Sequence, residues 1–191
     1  SDQRAAARDQ LRLPDSAVVV GSFQKDGVGW GEGMEPKLIK GPDLFLKVIE
    51  RLKSKVPDLH VVLSGPSRGY VKAGLEKLGV PYRHVQLKQY ADVGLLYRAL
   101  DLYLVTSRDE GGPKAILESM ASGVPLITSQ VGQAIDLVRH GENAWMVEVD
   151  DVEGLTHWAE YVIAHRGSQQ VARVLALARQ TAEANSYEQQ I

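Results

Sequence analysis

Six short runs of β-branched and aliphatic residues alternate with longer amphipathic stretches, and this alternation limits the folds open to the chain. The runs are the predicted strands 17–23, 59–65, 82–87, 101–107, 125–129 and 144–149. The predicted helices are 41–57, 70–80, 92–100, 113–122, 133–141, 151–165 and 167–185. Strands that alternate with helices form right-handed βαβ units in a parallel sheet. The sequence therefore predicts an α/β fold, a Rossmann-like doubly wound parallel sheet of about six strands with helices on both faces.

Length and composition are those of one ordinary globular domain, with 191 residues, 24% of them charged, and a formal net charge of −2. That charge balance disfavours a broad nucleic-acid surface, so no nucleic-acid partner is predicted. The absence of cysteine removes disulfides and thiolate metal sites, and it favours a reducing compartment. No apolar run reaches the ~18 residues of a membrane span. We expect a cytoplasmic protein, and the lack of an initiator methionine favours a cut inside a longer chain.

Ligands of doubly wound sheets bind beyond the carboxyl ends of the strands, where the strand order reverses. The first loop at that edge, 21–41, is rich in glycine and lysine and much longer than the usual ~2–6 residues. A glycine-rich loop before a helix can hold phosphate through backbone N–H groups. A long surface loop is the alternative for its middle, where Trp30 either folds over a ligand or packs on the loop itself. Neither a dinucleotide fingerprint nor a P-loop is present.

The segment 109–125 places two acids around a predicted helix start. Pro113 suits the first helical position, and Gly111 and Gly112 allow a ligand to approach backbone N–H groups at the positive end of the helix dipole. Glu110 and Glu118 are carboxylates that can each accept from neighbouring hydroxyls. Phosphate and hydroxyl recognition together suit a nucleotide sugar. The alternative is that Glu110 is a helix-start acid and Glu118 an ordinary surface residue.

The sequence from 101 to 151 resembles the signature region of retaining glycosyltransferases of the GT-B type, in the group with a Glu-x7-Glu motif. The matching elements are Glu110 through Glu118, "ESMASGVP", "SQVGQAIDLV" and "HGENAWMV", in the family's order. A looser resemblance covers residues 15–165. It implies that 1–191 is a single nucleotide-sugar-binding domain, the C-terminal half of a two-domain enzyme whose N-terminal acceptor-binding domain is absent.

The resemblance also implies roles for residues that match the motif. Glu110 would hold hydroxyls of the transferred sugar, and Glu118 would hold those of the ribose. The backbone of Gly111, Gly112 and Pro113 would lie near the sugar and diphosphate. Lys40, in a Lys-Gly pair, would stabilise the leaving diphosphate.

The family's arginine after the first strand has no counterpart, because Gly21 is followed by Ser22 and Phe23 and a long insertion precedes Lys40. Lys25 is an alternative source of positive charge. The nucleobase would lie near Ser64 and Gly65 and the strand end at Leu87 and Lys88. The predicted donor-binding set also includes Ser22 and Lys114.

The sequence has no D-x-D motif and no cluster of histidines and acids, so we expect a metal-independent reaction without a cofactor. In that reaction cations and a helix N-terminus would stabilise the leaving charge. We expect a hexosyltransferase that is inactive without the missing domain, with a nucleotide-diphospho-sugar as its donor. Any membrane contact would pass through the missing domain, and a peripheral position at the inner membrane surface is the alternative to a fully cytoplasmic one. A nucleotide-binding interaction module without catalysis and a nucleotide-sugar epimerase of the same architecture remain open.

Overall fold

The structure is a computed structural model that describes residues 2–112 and 114–186. Its strands are Val18–Phe23 (β1), Leu59–Ser64 (β2), Tyr82–Val85 (β3), Leu102–Val105 (β4), Leu126–Ser129 (β5) and Trp145–Val147 (β6). Its α-helices are Asp2–Gln10 (α1), Pro42–Lys53 (α2), Gly69–Leu78 (α3), Val93–Arg98 (α4), Lys114–Ala121 (α5), Gln133–Leu137 (α6), Val152–Ala164 (α7) and Gln169–Ala184 (α8). Two 3₁₀ turns, Leu38–Lys40 and Tyr90–Asp92, precede α2 and α4.

The strands form one parallel sheet in the order β3-β2-β1-β4-β5-β6. In the centre, Val20 pairs with Val61 on one side and with Leu102 on the other. The chain runs outward in one direction from β1 to β3 and in the other direction from β4 to β6. The predicted doubly wound α/β fold is confirmed, and the order reverses between β1 and β4, where such sheets bind ligands.

Helices cover both faces of the sheet because alternate side chains of each buried strand point to opposite sides. Val19 belongs to the apolar cluster that α1, α4 and α5 complete. Val18 and Val20 belong to the cluster that α2, α3 and α7 complete. Helix α8 contributes to both, since Val171 lies in the second cluster and Ala178 in the first.

The structure differs from the predicted elements in one additional helix and in the ends of several helices and strands. Helix α1 was not predicted. Helix α6 ends at Leu137 rather than near residue 141, because the Asn143 side chain accepts from Arg139 N at 2.8 Å and donates to Leu137 O at 2.9 Å. These bonds favour a turn over another helical turn. The predicted helix start at Pro113 lies outside the described residues. No helix within them has the length and hydropathy needed to cross a membrane.

Candidate functional site

A cavity of about 450 Å³ opens at the carboxyl edge of the sheet beside the reversal of strand order. Phe23 from the end of β1 and Ser64 and Gly65 from the end of β2 line one side of it. Leu87 and Tyr90, from the connection between β3 and α4, line another. The cavity therefore gathers three of the strand ends at which the sequence predicts a ligand.

Glu118 reaches this cavity from α5. One of its carboxylate oxygens accepts from the Tyr97 hydroxyl at 3.1 Å, and the other accepts from the Tyr90 hydroxyl. Burial, reinforced by the hydrogen bond to Glu118, raises the pKa of Tyr90, and burial also raises the pKa of Tyr97. Both phenols thus stay protonated at neutral pH and donate to Glu118. The arrangement turns Glu118 towards the crevice rather than towards the far side of its helix.

A second acid, Glu110, lies in the loop between β4 and α5 and is held at both of its oxygens. Lys40 Nζ lies 2.6 Å from one oxygen, and Ser107 Oγ donates to the other at 2.9 Å. The Lys40 side chain is 25% exposed and that of Glu110 12%, so the ion pair is shielded but reachable from solvent. The structure therefore brings together the two residues that the family resemblance assigns to the transferred sugar and to the leaving diphosphate.

The position of Lys40 depends on the close approach of two loops. Gly41 follows the 3₁₀ turn with φ of 65°, and a Cβ there would lie 1.8 Å from the carbonyl oxygen of Thr106. Only glycine combines this backbone conformation with so little space. The Thr106 hydroxyl in turn donates to Gly41 O at 2.8 Å. The Lys-Gly pair is thus fixed against the strand end that leads to Glu110.

Arg108 fixes the loop that carries Glu110. Its guanidinium donates to both carboxylate oxygens of Asp43 at 2.8 Å, to Leu38 O at 2.6 Å and to Asp150 at 2.7 Å. The hydrogen bonds from Arg108 hold the pKa of Asp43 below its usual value, and the bond to Asp43 raises the pKa of Arg108. Bidentate pairs of this kind add geometric precision to their electrostatic attraction. The loop from Ser107 to Glu110 is therefore tied to the start of α2 and to the turn before α7.

The predicted ligand site at the N-terminus of α5 is described only in part, because Pro113 lies outside the described residues. Gly111 and Gly112 are exposed, and Lys114 opens α5 with its Nζ 5.2 Å from the centre of the Tyr90 ring. On the other side, a Cβ on Gly132 would lie 2.4 Å from Glu110 O. The loops after β4 and β5 are thus packed closely against each other.

The remaining predicted donor-binding residues divide into those that reach the cavity and those that do not. Lys25 lines it, with its Nζ 4.2 Å from the centre of the Trp30 ring. Ser22 is buried, and its hydroxyl accepts from Arg68 at 2.9 Å. Lys88 is exposed and is not part of the cavity wall, which at that strand end consists of Gln86 and Leu87.

Sequence reasoning missed the buried ion pair between Arg68 and Asp26. The Arg68 side chain is 0% exposed and that of Asp26 1%, with 2.9 Å between them. Arg68 also donates to the carbonyl oxygens of Ser22 at 2.6 Å and Ser64 at 2.7 Å. Arg68 thereby joins the ends of β1 and β2 to the glycine-rich loop.

The same turn after β2 orders the rest of that loop. The Ser67 hydroxyl donates to the carbonyl oxygens of Gly29 and Gly31, at 3.1 and 3.0 Å, and Gly69 N donates to Glu32 O at 2.6 Å. Gly27 has no room for a side chain, since a Cβ there would lie 2.4 Å from Ser67 O. The base of the loop is therefore packed against the fold, while the Trp30 side chain at its tip is 83% exposed.

Comparison with known sequences decides the family. The sequence profile of the family described as "Glycosyl transferases group 1" matches residues 35–174, which include Lys40, Glu110 and Glu118. The chain belongs to the glycosyl transferases group 1 family. Loop residues 24–34 lie outside the matched region, so the family profile does not account for the Asp26 end of the buried ion pair.

Relatives in this family are considerably longer than this chain. The chain is 30% identical over 149 residues to the lipopolysaccharide core biosynthesis mannosyltransferase LpsB of Rhizobium meliloti, covering 73% of this chain and 42% of LpsB. It is 28% identical over 169 residues to a D-inositol 3-phosphate glycosyltransferase of Stackebrandtia nassauensis, covering 82% of this chain and 35% of that protein. The chain spans less than half the length of the curated relatives it matches.

Solved structures of glycosyltransferases share the fold. HepE of Anabaena, crystallised with UDP-glucose, matches 95% of this chain with a TM-score of 0.77 and 22% identity, and the match covers 48% of HepE. The C-terminal domain of a group 1 glycosyl transferase, LpcC of Francisella tularensis, matches 97% of this chain with a TM-score of 0.75 and 16% identity. The match covers 93% of that C-terminal domain. The chain therefore has the fold of a C-terminal GT-B domain.

Proposed function

We propose that this chain is the donor-binding domain of a retaining glycosyltransferase that transfers a hexose from a nucleotide-diphospho-sugar to an acceptor. The observation that carries the proposal is the position of Glu118. Its carboxylate lines a cavity at the reversal of strand order and already accepts two hydroxyl hydrogen bonds there, from Tyr90 and Tyr97. A ribose presents the same chemistry, two adjacent hydroxyls that can donate to one carboxylate.

Glu110 and Lys40 have complementary roles in the proposed reaction. Glu110 holds hydroxyls of the transferred sugar, and Lys40 meets the negative charge that develops on the diphosphate as the sugar leaves. The 2.6 Å ion pair keeps the two groups together before the donor binds. The backbone N–H groups of Gly111 and Gly112, just before α5, add positive electrostatic potential for the leaving group. No metal enters this proposal.

The relatives support a sugar donor in general terms. LpsB is described as a mannosyltransferase, and HepE was crystallised with UDP-glucose. We extend these descriptions to this chain as a hexose and a nucleoside diphosphate. Because the chain spans less than half of its relatives, the proposal assigns acceptor binding to an N-terminal domain outside this chain and predicts that the isolated chain is inactive.

Isothermal titration calorimetry tests the proposal, with UDP-glucose, GDP-mannose and ADP-glucose compared with the free nucleoside diphosphates. Glu118→Gln should weaken binding of both the sugar nucleotide and its nucleoside diphosphate. Glu110→Gln should weaken binding of the sugar nucleotide alone. Each loss should be about tenfold to a hundredfold, because hydrogen bonds to charged groups contribute about 1.5–3 kcal/mol. Glu50→Gln, at an exposed position on α2, is the control.

If both site variants bind as Glu50→Gln does, the proposal is wrong. The second candidate, a nucleotide-binding module without catalysis, is favoured by one observation: Ser22 occupies the place where an arginine is expected, and it is bonded to Arg68 instead of facing the cavity. That candidate predicts equal affinity for a sugar nucleotide and its nucleoside diphosphate. Conversion of the bound sugar to another by the chain alone would favour an epimerase.

A further inference from the structure

A second cavity lies at the opposite edge of the sheet, where the strands begin. It has a volume of about 500 Å³, and three arginines line it, Arg4, Arg98 and Arg179. Its other polar side chains are those of Gln3, Tyr97 and Ser122, and none of the described residues in its wall is an acid. The candidate nucleotide-sugar site uses no residue of this wall except Tyr97, whose hydroxyl donates to Glu118.

The three arginines come from three different helices, α1, α4 and α8. Arg4 is held in place, because its guanidinium donates to Leu100 O at 2.6 Å and to Asp101 at 2.7 Å. Arg179 lies against the turn after α5, where a Cβ on Gly123 would be 3.1 Å from its Nη2. Three elements distant in sequence thus bring like charges to one concave surface.

Positive charge exceeds negative charge around this cavity. Among the described residues, Asp101 is the one carboxylate that forms ion pairs beside this cavity. It is shared among Arg4 at 2.7 Å and two arginines outside the cavity wall, Arg8 at 2.7 Å and Arg166 at 3.9 Å. Arg98 and Arg179 form no ion pair with any residue that the structure describes. Burial lowers the pKa of Arg8, the neighbouring Asp101 opposes that shift, and Arg4 and Arg166 add to it. Arg98 and Arg179 are exposed, so solvent screens much of their mutual repulsion, and a bound anion would relieve what remains.

We propose that the cavity lined by Arg4, Arg98 and Arg179 binds a phosphomonoester. Guanidinium groups bind phosphate oxygens through two parallel N–H donors, and their planar fork suits this geometry better than an ammonium group does. The Ser122 hydroxyl and the Gln3 amide lie in the same wall and supply neutral donors. A concave site favours a compact anion over an extended polyanion such as nucleic acid, which the net charge of −2 also disfavours. The phosphate group can belong to a soluble metabolite or to a lipid head group.

Calorimetric titration of the 191-residue chain with glycerol 3-phosphate tests the proposal. The double variant Arg98→Gln/Arg179→Gln should bind at least about tenfold more weakly than the wild type. Arg173→Gln is the matched control, because Arg173 is an exposed arginine of the same helix as Arg179 and is not part of this wall. Lys40→Gln should bind like the wild type, which separates this cavity from the candidate nucleotide-sugar site.

The proposal is wrong if the wild type does not bind glycerol 3-phosphate. It is also wrong if Lys40→Gln abolishes this binding while Arg98→Gln/Arg179→Gln retains it. Thermal unfolding of each variant checks that it is folded, and Arg179→Glu provides a second variant that should also lose binding. Cosedimentation with vesicles of equimolar phosphatidylcholine and phosphatidic acid identifies the source of the phosphate. Vesicle binding that the double variant loses indicates a lipid head group, and glycerol 3-phosphate binding without vesicle binding indicates a soluble metabolite. Both results support the phosphomonoester site.

Discussion

The replacement Arg68→Met removes the cation from a fully buried ion pair, so it should destabilise the fold strongly. Arg68 gives up four hydrogen bonds, to Asp26, to the carbonyl oxygens of Ser22 and Ser64 and to the Ser22 hydroxyl. Removing one member of a buried pair costs about 3–5 kcal/mol, because the other charge stays buried without a partner. For a domain of this size, that loss corresponds to a fall of roughly 6–20 °C in melting temperature.

The pH dependence of the loss identifies its cause. Burial raises the pKa of Asp26 even though Arg68 opposes the shift. Without Arg68 that pKa should rise further, so the folded variant binds a proton that the unfolded chain has released. Its stability is then greatest below the pKa of an unfolded aspartate, about 3.9, and falls as pH rises through the folded pKa. We therefore expect Arg68→Met to cost more free energy of unfolding at neutral pH than near pH 4.

Urea denaturation at several pH values measures these quantities. The double variant Asp26→Asn/Arg68→Met removes the buried charge and should recover part of the loss, with little dependence on pH. Arg51→Met, at an exposed position of α2, is the control and should change the free energy of unfolding by less than about 0.5 kcal/mol. A loss below about 1 kcal/mol in Arg68→Met would refute the assigned role of the pair. So would a double variant no more stable than the single one.

Three further predictions concern single residues. The Tyr90 hydroxyl donates to Glu118 and would compete there with the ribose hydroxyls, so Tyr90→Phe should bind UDP about 2- to 10-fold more tightly in calorimetry. Unchanged or weaker binding would count against this competition. Burial lowers the pKa of His84, so its contribution to the free energy of unfolding should be fully present above about pH 6.5 and be lost as pH falls through the folded pKa. In denaturation curves measured at several pH values, His84→Gln should remove this pH dependence, and His157→Gln, at an exposed position, should retain it. Asp151 accepts from Gly154 N at 2.8 Å at the start of α7, so Asp151→Ala should lower the free energy of unfolding by about 1 kcal/mol. Thermal denaturation should show a smaller loss for Glu153→Gln, which removes only the attraction of a first-turn acid to the helix dipole.

The order of strands and helices could be predicted because each depends on nearby residues. A run such as Val18–Val20 is buried on both faces of a sheet, and Pro42 with the apolar face behind it defines a helix start. Helix α6 ends early for a reason that lies beyond its own sequence. The Asn143 side chain, six residues past Leu137, bonds back to its last turn. The local sequence pattern therefore predicts that a helix is present more accurately than it predicts the residue at which the helix ends.

In the candidate site, too, features that depend on nearby residues could be predicted from the sequence, and contacts between distant residues could not. The positions of Glu110 and Glu118 around a helix start could be read from the segment itself. The contact of Glu118 with Tyr90 and Tyr97 could not, since those residues belong to another connection of the sheet. The Asp26–Arg68 pair joins residues 42 positions apart, across a loop whose glycines alone predict no particular path. Its existence depends on how that loop packs against the turn after β2.

The charges at the carboxyl edge bear on how a diphosphate would be held in the proposed function. Asp26 neutralises Arg68 in the interior, and Glu110 neutralises Lys40 beside the cavity. Lys25 and Lys114 form no ion pair with the residues that the structure describes, and each lies over an aromatic ring instead. A cation over an exposed ring gains only about 0.5–1 kcal/mol. Lys25 and Lys114 can therefore bind a diphosphate without breaking an ion pair. Lys40 can bind the diphosphate fully only when a sugar hydroxyl replaces Lys40 as the hydrogen-bond partner of Glu110. Sugar and diphosphate would thus be recognised together, because the same ion pair must open for both.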